Sequence, residues 1–178
     1  IDYCELKLKN SGASSLKTFN NSKTQANLFS TIKGENPNGT GIVLSGHTDV
    51  VPAVPDEWTS DPYIVREKND KLYGRGTCDM KGFIACTLAV APLFASSKLK
   101  RPIHFSYTFD EETGCLGAPL VLADLKKRNL NFSACIIGEP TNMKAITAHK
   151  GYNEYITHFT GLSGHASNPE SGVSAIEY

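Results

Sequence analysis

The 178-residue sequence is 40% hydrophobic, which is the length and composition of an ordinary globular domain with a hydrophobic core. Its 18 basic residues balance its 18 acidic residues, so no net field attracts nucleic acid or an anionic membrane. No stretch approaches the roughly 18 to 20 apolar residues that cross a bilayer. Because neither nucleic acid nor a membrane is indicated, we expect a small-molecule partner.

The five cysteines are scattered and include no Cys-x-x-Cys pair, which argues against a disulfide framework and against a zinc ribbon. The first 30 residues lack the charged-then-apolar pattern of a secretory signal. We therefore expect a cytoplasmic protein. The chain begins at Ile1 rather than Met and stops at Tyr178 inside a predicted helix start, so we interpret it as an N-terminal piece of a longer protein.

Two apolar strands are predicted early in the chain, over residues 26–32 and 41–45. The turn-rich segment Glu35-Asn36-Pro37-Asn38-Gly39 between them predicts a hairpin. Prolines, Trp58 and charged residues then predict a surface loop over 52–70, followed by a short strand at Leu72 and Tyr73.

Helices and strands alternate in the middle of the chain. Residues 81–94 are apolar almost all round, which predicts a helix buried against a sheet, with Pro92 kinking or shortening its last turn. A strand over 103–109, a helix over 118–128 and a strand over 134–137 follow. This alternation predicts an α/β fold with a mixed, mostly parallel sheet flanked by helices.

The pattern changes near Gly151, where a predicted strand over 155–159 has no crossover helix before it. A helix is predicted to start at 172–178. We therefore predict two domains, a first one over 1–150 and the beginning of a smaller α+β domain over 151–178.

Metal-ligand side chains follow four segments of the chain, three of them apolar strands. They are His47 and Asp49 after the strand at 41–45, Asp79 after the glycine-rich segment 74–78, Asp110, Glu111 and Glu112 after 103–109, and Glu139 after 134–137. In an open α/β sheet, ligands and chemistry collect beyond the carboxyl ends of the strands, so these groups are expected to converge. The sequence thus predicts a two-metal hydrolytic site.

Each of these residues also has an ordinary structural interpretation. His47 resembles a hydrogen-bonded loop residue, Asp79 stands where it can cap the helix that begins at Lys81, residues 110–112 resemble a solvated loop, and Glu139 resembles part of a turn. All four interpretations must hold together for the site to be absent, so we favour the metal site. Carboxylate-rich ligation with little imidazole and no thiolate suits zinc, with cobalt or manganese as substitutes.

Five segments, in this order, carry a family resemblance: Ser45-Gly46-His47-Thr48-Asp49-Val50-Val51-Pro52, Gly74-Arg75-Gly76-Thr77-Cys78-Asp79-Met80-Lys81-Gly82, Asp110-Glu111-Glu112-Thr113, Gly138-Glu139-Pro140-Thr141 and Ser163-Gly164-His165-Ala166-Ser167. They resemble the motifs of the co-catalytic zinc aminoacylase, succinyl-diaminopimelate desuccinylase and glutamate carboxypeptidase family. The resemblance implies a zinc-exopeptidase-like catalytic domain, the start of a lid domain that forms a homodimer, and two Zn²⁺ ions.

The same resemblance implies the metal ligands. His47 and Glu139 are expected to hold one zinc and Glu112 the other, with Asp79 bridging the two. A cis peptide bond is expected between Asp79 and Met80. A further ligand of the second zinc is expected from chain beyond residue 178, so we expect the 178-residue piece alone to bind that metal poorly and to be inactive.

The implied catalytic roles fall on three other residues. Asp49 is expected to support His47, Glu111 to act as general base, and His165 of the lid to stabilise the oxyanion in the partner's active site. A nucleophilic role for Cys78 or Cys115 is less favoured, because no histidine adjoins either of them in sequence.

The implied reaction is hydrolysis of an N-acyl amino acid, with N-acetyl-L-ornithine giving L-ornithine and acetate in arginine biosynthesis as the leading interpretation. A desuccinylase or aminoacylase with another acyl pocket is the nearest alternative. A non-catalytic binding relative is the alternative of another class, and Glu111 stands against it, because that residue serves chemistry and not ligation.

Overall fold

The computed structural model describes residues 1–19 and 22–177. It contains two compact units, Ile1–Met143 and Lys144–Tyr178, each of which is described by itself below. The assignment of domains to residues 1–150 and 151–178 stays a prediction.

The first unit contains seven strands and three helices among its described residues. These are α1 (Asp2–Asn10), β1 (Ser14–Phe19), β2 (Ala26–Ile32), β3 (Gly41–His47), β4 (Arg66–Lys68), β5 (Lys71–Tyr73), α2 (Lys81–Ser96), β6 (Ile103–Thr108), α3 (Ala118–Lys127) and β7 (Phe132–Ile137). The helices and strands predicted between residues 26 and 137 are confirmed, whereas α1, β1 and β4 were not predicted.

Five strands form one mixed sheet in the order β1-β2-β6-β3-β7. β3 lies parallel to both β6 and β7, whereas β2 runs antiparallel to β1 and β6. The predicted α/β class with a mixed sheet is confirmed. The strands β4 and β5 form a separate two-stranded sheet.

The predicted hairpin between β2 and β3 is wrong, because β6 lies between these two strands. Leu28 of β2 pairs with Tyr107, and Leu44 of β3 pairs with Phe105. Phe105 and Tyr107 are fully buried, so β6 takes the centre of the sheet. Burial of these long-range partners, and not the turn residues between β2 and β3, decides the pairing.

The sheet has a hydrophobic core on each face. Leu28 belongs to a cluster with residues of α1 and α2, whereas its neighbour Phe29 packs with Val121 and Leu125 of α3. Because successive side chains of a strand point to opposite faces, α1 and α2 lie on one face of the sheet and α3 on the other. Helices therefore lie on both faces of the sheet, although β7 is largely exposed.

Helix α2 differs from its prediction in two respects. It continues for four residues beyond Pro92 to Ser96, and Phe94 in this last part packs against the core. The predicted shortening at Pro92 is therefore wrong, and the alternative, a kink at this residue, stays a prediction. The helix is also buried on one side only, because Ile84 and Ala91 are buried whereas Leu93 is 64% exposed.

The second unit is largely irregular. Within residues 144–177 the structure has one isolated bridge between Leu162 and Val173 and one 3-10 turn, Pro169–Ser171. The predicted strand over 155–159 and the helix start over 172–177 are not formed, and Tyr178 lies outside the described residues. Tyr155 is 87% exposed in this unit, and a single apolar segment without a pairing strand does not form a stable β-structure.

None of the helices in the described ranges is both long and apolar enough to cross a membrane.

Candidate metal centre

His47 ends β3 and is the most deeply buried of the predicted site residues. Its side chain is 1% exposed, and its Nδ1 lies 3.0 Å from the backbone carbonyl oxygen of Asp49. Because a carbonyl oxygen only accepts, Nδ1 carries the hydrogen and donates it to Asp49. The Nε2 atom then faces the acidic residues with its lone pair, which is the arrangement of a metal-binding histidine.

Asp79 provides the shortest contact of the His47 ring to a carboxylate. Its Oδ1 lies 3.0 Å from His47 Nε2. The N-cap of α2 is Met80, with no side-chain capping bond, so Asp79 does not also cap the helix. The peptide bond between Asp79 and Met80 is cis, as the family resemblance implies. The carboxylate of Asp79 thus contacts His47 and makes no capping bond to α2.

The loop after β6 brings two glutamates to the same place. The backbone N–H of Thr48 donates to the carbonyl of Thr108 at 2.8 Å, which extends the pairing of β3 and β6 beyond His47. Glu112 donates its backbone N–H to Asp49 Oδ2 at 3.0 Å. Glu111 places Oε2 4.0 Å from His47 Nε2.

Glu139 follows β7 on the other side of β3. The N–H of Gly138 donates to the carbonyl of Ser45 at 3.1 Å, so the β3–β7 pairing continues to the residue before Glu139. The Oε1 atom of Glu139 lies 3.7 Å from His47 Nε2. Gly138 lies against Phe83 of α2, and a Cβ atom built on Gly138 would clash with the Phe83 ring. Any larger residue at this position would require the Phe83 ring or the backbone beside it to shift.

The convergence predicted from the strand ends is present in the structure. His47, Asp79 and Glu112 form one group, and His47, Glu111 and Glu139 form another, with the ligand atoms of each group within 4.8 Å of one another. The grouping differs from the expected division of ligands, in which Glu139, and not Glu112, accompanies His47 and Asp79. The individual roles of these residues stay predictions.

Two pKa values reflect the crowding of acids around one imidazole. Burial lowers the pKa of His47, but the hydrogen bonds with Asp49 and Asp79 outweigh it, so the net pKa is raised. The pKa of Glu139 is raised, first by burial and then by repulsion from Asp79. The cluster therefore has more carboxylates than its single imidazole can neutralise.

Cys115 does not have the environment of a nucleophile. All five thiols are free, and Cys115 donates a weak hydrogen bond to Glu111 Oε1 at 3.5 Å. Burial and then the Glu111 charge raise the pKa of the Cys115 thiol, which keeps it protonated. Cys115 thus contacts Glu111 as a protonated thiol and is not a nucleophile.

His165 belongs to the second unit. Its Nδ1 accepts a hydrogen bond from the backbone N–H of Ser167 at 3.2 Å and lies 2.7 Å from the Ser167 hydroxyl. The ring is exposed, and its expected role at an oxyanion stays a prediction.

An acid-rich cluster around one histidine, at the carboxyl ends of parallel strands in an α/β sheet, is typical of metal-dependent hydrolases. The profile of the peptidase family M20/M25/M40 matches residues 43–170, more than half of the chain. The chain belongs to this family.

Individual relatives agree with this assignment. The acetylornithine deacetylase of Yersinia pseudotuberculosis is 44% identical over 154 residues, which cover 85% of this chain. The structure of human carnosine dipeptidase 1 matches 76% of this chain and 31% of its own, with a TM-score of 0.65 and 24% identity. The M20 family metallo-carboxypeptidase Sso-CP2 from Sulfolobus solfataricus matches 77% of this chain and 31% of its own, with a TM-score of 0.64 and 22% identity. The two structural matches establish the fold.

The chain spans 39% of the length of the Yersinia relative that it matches.

Proposed function

We propose that the protein containing this chain is a two-zinc amidohydrolase that removes the acetyl group from N-acetyl-L-ornithine. The observation that carries the proposal is the position of His47, whose Nε2 faces four carboxylates of which the nearest is 3.0 Å away. The name of the 44% identical relative supports the choice of an acetylated ornithine among N-acyl amino acids.

The donor set fits zinc. His47 Nε2 and Asp79 Oδ1 lie 3.0 Å apart, and because Nδ1 already donates its hydrogen to Asp49, either a second ring proton or a cation must lie between Nε2 and Oδ1. One imidazole with several carboxylates and no thiolate suits zinc, with cobalt or manganese as substitutes. In the proposed division His47 and Glu139 would hold one ion, Glu112 would hold the other, and Asp79 would serve both.

When bound, the two ions polarise the amide carbonyl and lower the pKa of a coordinated water to about 7. Glu111 is then the group that moves the proton. Its Oε1 faces the Cys115 thiol, whereas its Oε2 faces the cluster at 4.0 Å from His47 Nε2, so Oε2 is the atom that accepts the proton of the attacking water. The same oxygen returns the proton to the departing amine.

Two further residues complete the proposed machinery. Asp49 holds His47 by its backbone carbonyl and Glu112 by its carboxylate, so it fixes the geometry of the ligands without binding substrate. His165 stabilises the oxyanion of the tetrahedral intermediate, and in the proposed homodimer it does so from the lid of the partner subunit. The proposed enzyme is cytoplasmic and acts on small molecules.

The nearest competing function is a sibling reaction at the same metal centre. A desuccinylase or an aminoacylase needs the same ligands and base, and differs in the groups that contact the acyl and side-chain ends of the substrate. The experiment is therefore a comparison of kcat/KM on the full-length, zinc-loaded protein with N-acetyl-L-ornithine, N-succinyl-diaminopimelate and other N-acetyl amino acids. The proposal expects the highest value with N-acetyl-L-ornithine. A higher value with a succinylated substrate would assign the protein to the sibling reaction, and no hydrolysis of any of them would favour a binding protein.

A further inference from the structure

Asn27 of β2 is a fully buried polar residue that takes no part in the proposed chemistry. A buried carboxamide is costly unless its donors and acceptor are all bonded, so its partners identify what it holds. Its Oδ1 accepts a hydrogen bond from the backbone N–H of Phe109 at 3.2 Å. Its Nδ2 donates to the carbonyl of Gly117 at 2.9 Å and to the Thr18 hydroxyl at 3.1 Å.

Phe109 and Gly117 are the two residues that flank the loop carrying Glu111 and Glu112. We call residues 110–116 the acidic loop. Its ends are also joined by a hydrogen bond from Gly117 N–H to the carbonyl of Phe109 at 3.1 Å. The side chain of Asn27 bonds to both of these flanking residues, so a single buried group ties the start and the end of the acidic loop to the sheet.

The space between Asn27 and residue 117 is too small for a side chain at position 117. A Cβ atom built on Gly117 lies 2.5 Å from Asn27 Oδ1 and 2.5 Å from the Phe109 carbonyl oxygen. Glycine is therefore required where the loop returns to the carboxamide. The third bond, to Thr18, anchors the same carboxamide to β1, which pairs with β2 at this position.

We propose that Asn27 is a positioning residue for hydrolysis: it holds the two ends of the acidic loop so that Glu111 and Glu112 stay in place relative to His47. It does this without touching the substrate or the ions. The expected effect on turnover rests on the proposed function. The expected effect on metal binding rests only on the position of the acidic loop at the metal centre. Catalytic groups lose efficiency when their support is loosened by as little as an ångström, so the effect is large although Asn27 is remote.

Ser30 is the matched control for Asn27. It lies on the same strand, is equally buried, and has one side-chain hydrogen bond, to the Ser15 hydroxyl at 2.7 Å. Ser15 lies on β1 and does not belong to the acidic loop. Both Asn27→Ala and Ser30→Ala remove a buried polar group from β2, but only the first releases the loop.

The experiment compares these two variants with the wild type in the full-length protein, using N-acetyl-L-ornithine turnover, Co²⁺ affinity and thermal unfolding. We expect both variants to lower Tm, and Asn27→Ala alone to lower kcat by about 100-fold with little change in KM. Equal kcat values in the two folded variants would overturn the inference.

Cobalt affinity separates failure of the inference from failure of the proposed function. If the wild type hydrolyses no N-acyl amino acid, the proposed function fails, and a Co²⁺ affinity at least about 10-fold weaker in Asn27→Ala than in Ser30→Ala still supports the positioning role. Equal Co²⁺ affinities in that case would overturn it.

Amide hydrogen exchange covers the case in which Asn27→Ala does not fold. The wild-type amides of Leu116 and Gly117, which close the acidic loop onto Asp110 and Phe109, are expected to be protected as well as those of β2. Exchange at the rate of the exposed loop over residues 52–65 would contradict the inference.

Discussion

The carboxylate of Asp49 accepts a hydrogen bond from the backbone N–H of Glu112 at 3.0 Å, which connects the end of β3 to the acidic loop after β6. The backbone carbonyl of the same aspartate accepts the Nδ1 hydrogen of His47. One residue thus fixes both the ring that faces the cluster and the backbone of a predicted metal ligand. Its second carboxylate oxygen, Oδ1, is buried without a hydrogen bond and lies 3.5 Å from His47 Nδ1.

Asp49→Ala removes the acceptor for the Glu112 N–H and leaves this amide without its partner. We expect zinc affinity and turnover to fall by about 10- to 100-fold, because the groups that orient metal ligands have effects of this size. Titration calorimetry with zinc measures the first and a hydrolysis assay the second. Asp56→Ala, at an exposed acid in the loop after β3, is the control and should leave both unchanged.

Glu111→Gln keeps the shape of the side chain but removes the proton acceptor. We expect kcat to fall by about 10²- to 10⁴-fold, the range that a positioned general base contributes. The zinc content should stay at the wild-type value, because Glu111 is the base and not a ligand in the proposed division. Glu67→Gln in the exposed strand β4 is the control. Unchanged turnover in Glu111→Gln would contradict the proposed hydrolytic mechanism.

Gly138→Ala tests the close contact between β7 and α2. The new methyl group meets the Phe83 ring, which is itself partly buried, so the ring, β7 or α2 must shift to accommodate it. We expect a loss of about 1–3 kcal/mol in the free energy of unfolding, measured by urea denaturation. Gly151→Ala is the control, because a Cβ atom there has no heavy atom within 4 Å.

His104 gives a pH dependence of stability that is separate from the metal centre. Burial, and then the charge of Arg128, lower its pKa below the ordinary value of 6.5. The folded protein therefore keeps the ring neutral while the unfolded chain takes up a proton. The stabilisation is present above pH 6.5 and is lost as the pH falls through the lowered pKa.

His104→Gln removes this titration and leaves a side chain that can still bond to Thr31, the present partner of Nδ1 at 3.0 Å. We expect the free energy of unfolding of the variant to fall less steeply than that of the wild type when the pH is lowered below 6.5. His158→Gln, at an exposed histidine of the second unit, should keep the wild-type slope. Equal slopes for the His104 variant and the wild type would refute the assignment.

The sequence predicted the convergence of the site residues because His47 and most of the acidic residues directly follow short apolar segments that are recognisable as strands. β3 ends at His47 and β7 ends just before Gly138 and Glu139, so their alignment in a parallel sheet followed from the strand pattern alone. The placement of β6 between β2 and β3 depends on which strands bury Phe105 and Tyr107 together, and that is a long-range choice.

The role of Asn27 was not predicted for a similar reason. An asparagine at the start of a strand is an ordinary polar residue in the sequence, and its importance rests on Phe109 and Gly117, which are more than 80 residues away. The strand predicted over 155–159 failed for a related reason, because within residues 144–177 no strand is formed that could pair with it.

Anomalous diffraction at the zinc edge, from crystals of the zinc-loaded full-length protein, tests the central claim most directly. We predict two peaks about 3.5–4 Å apart within coordination distance of His47, Asp79, Glu112 and Glu139, with Asp79 in contact with both. A zinc-loaded protein whose peaks lie at other residues, with these four side chains free of metal, would contradict the account.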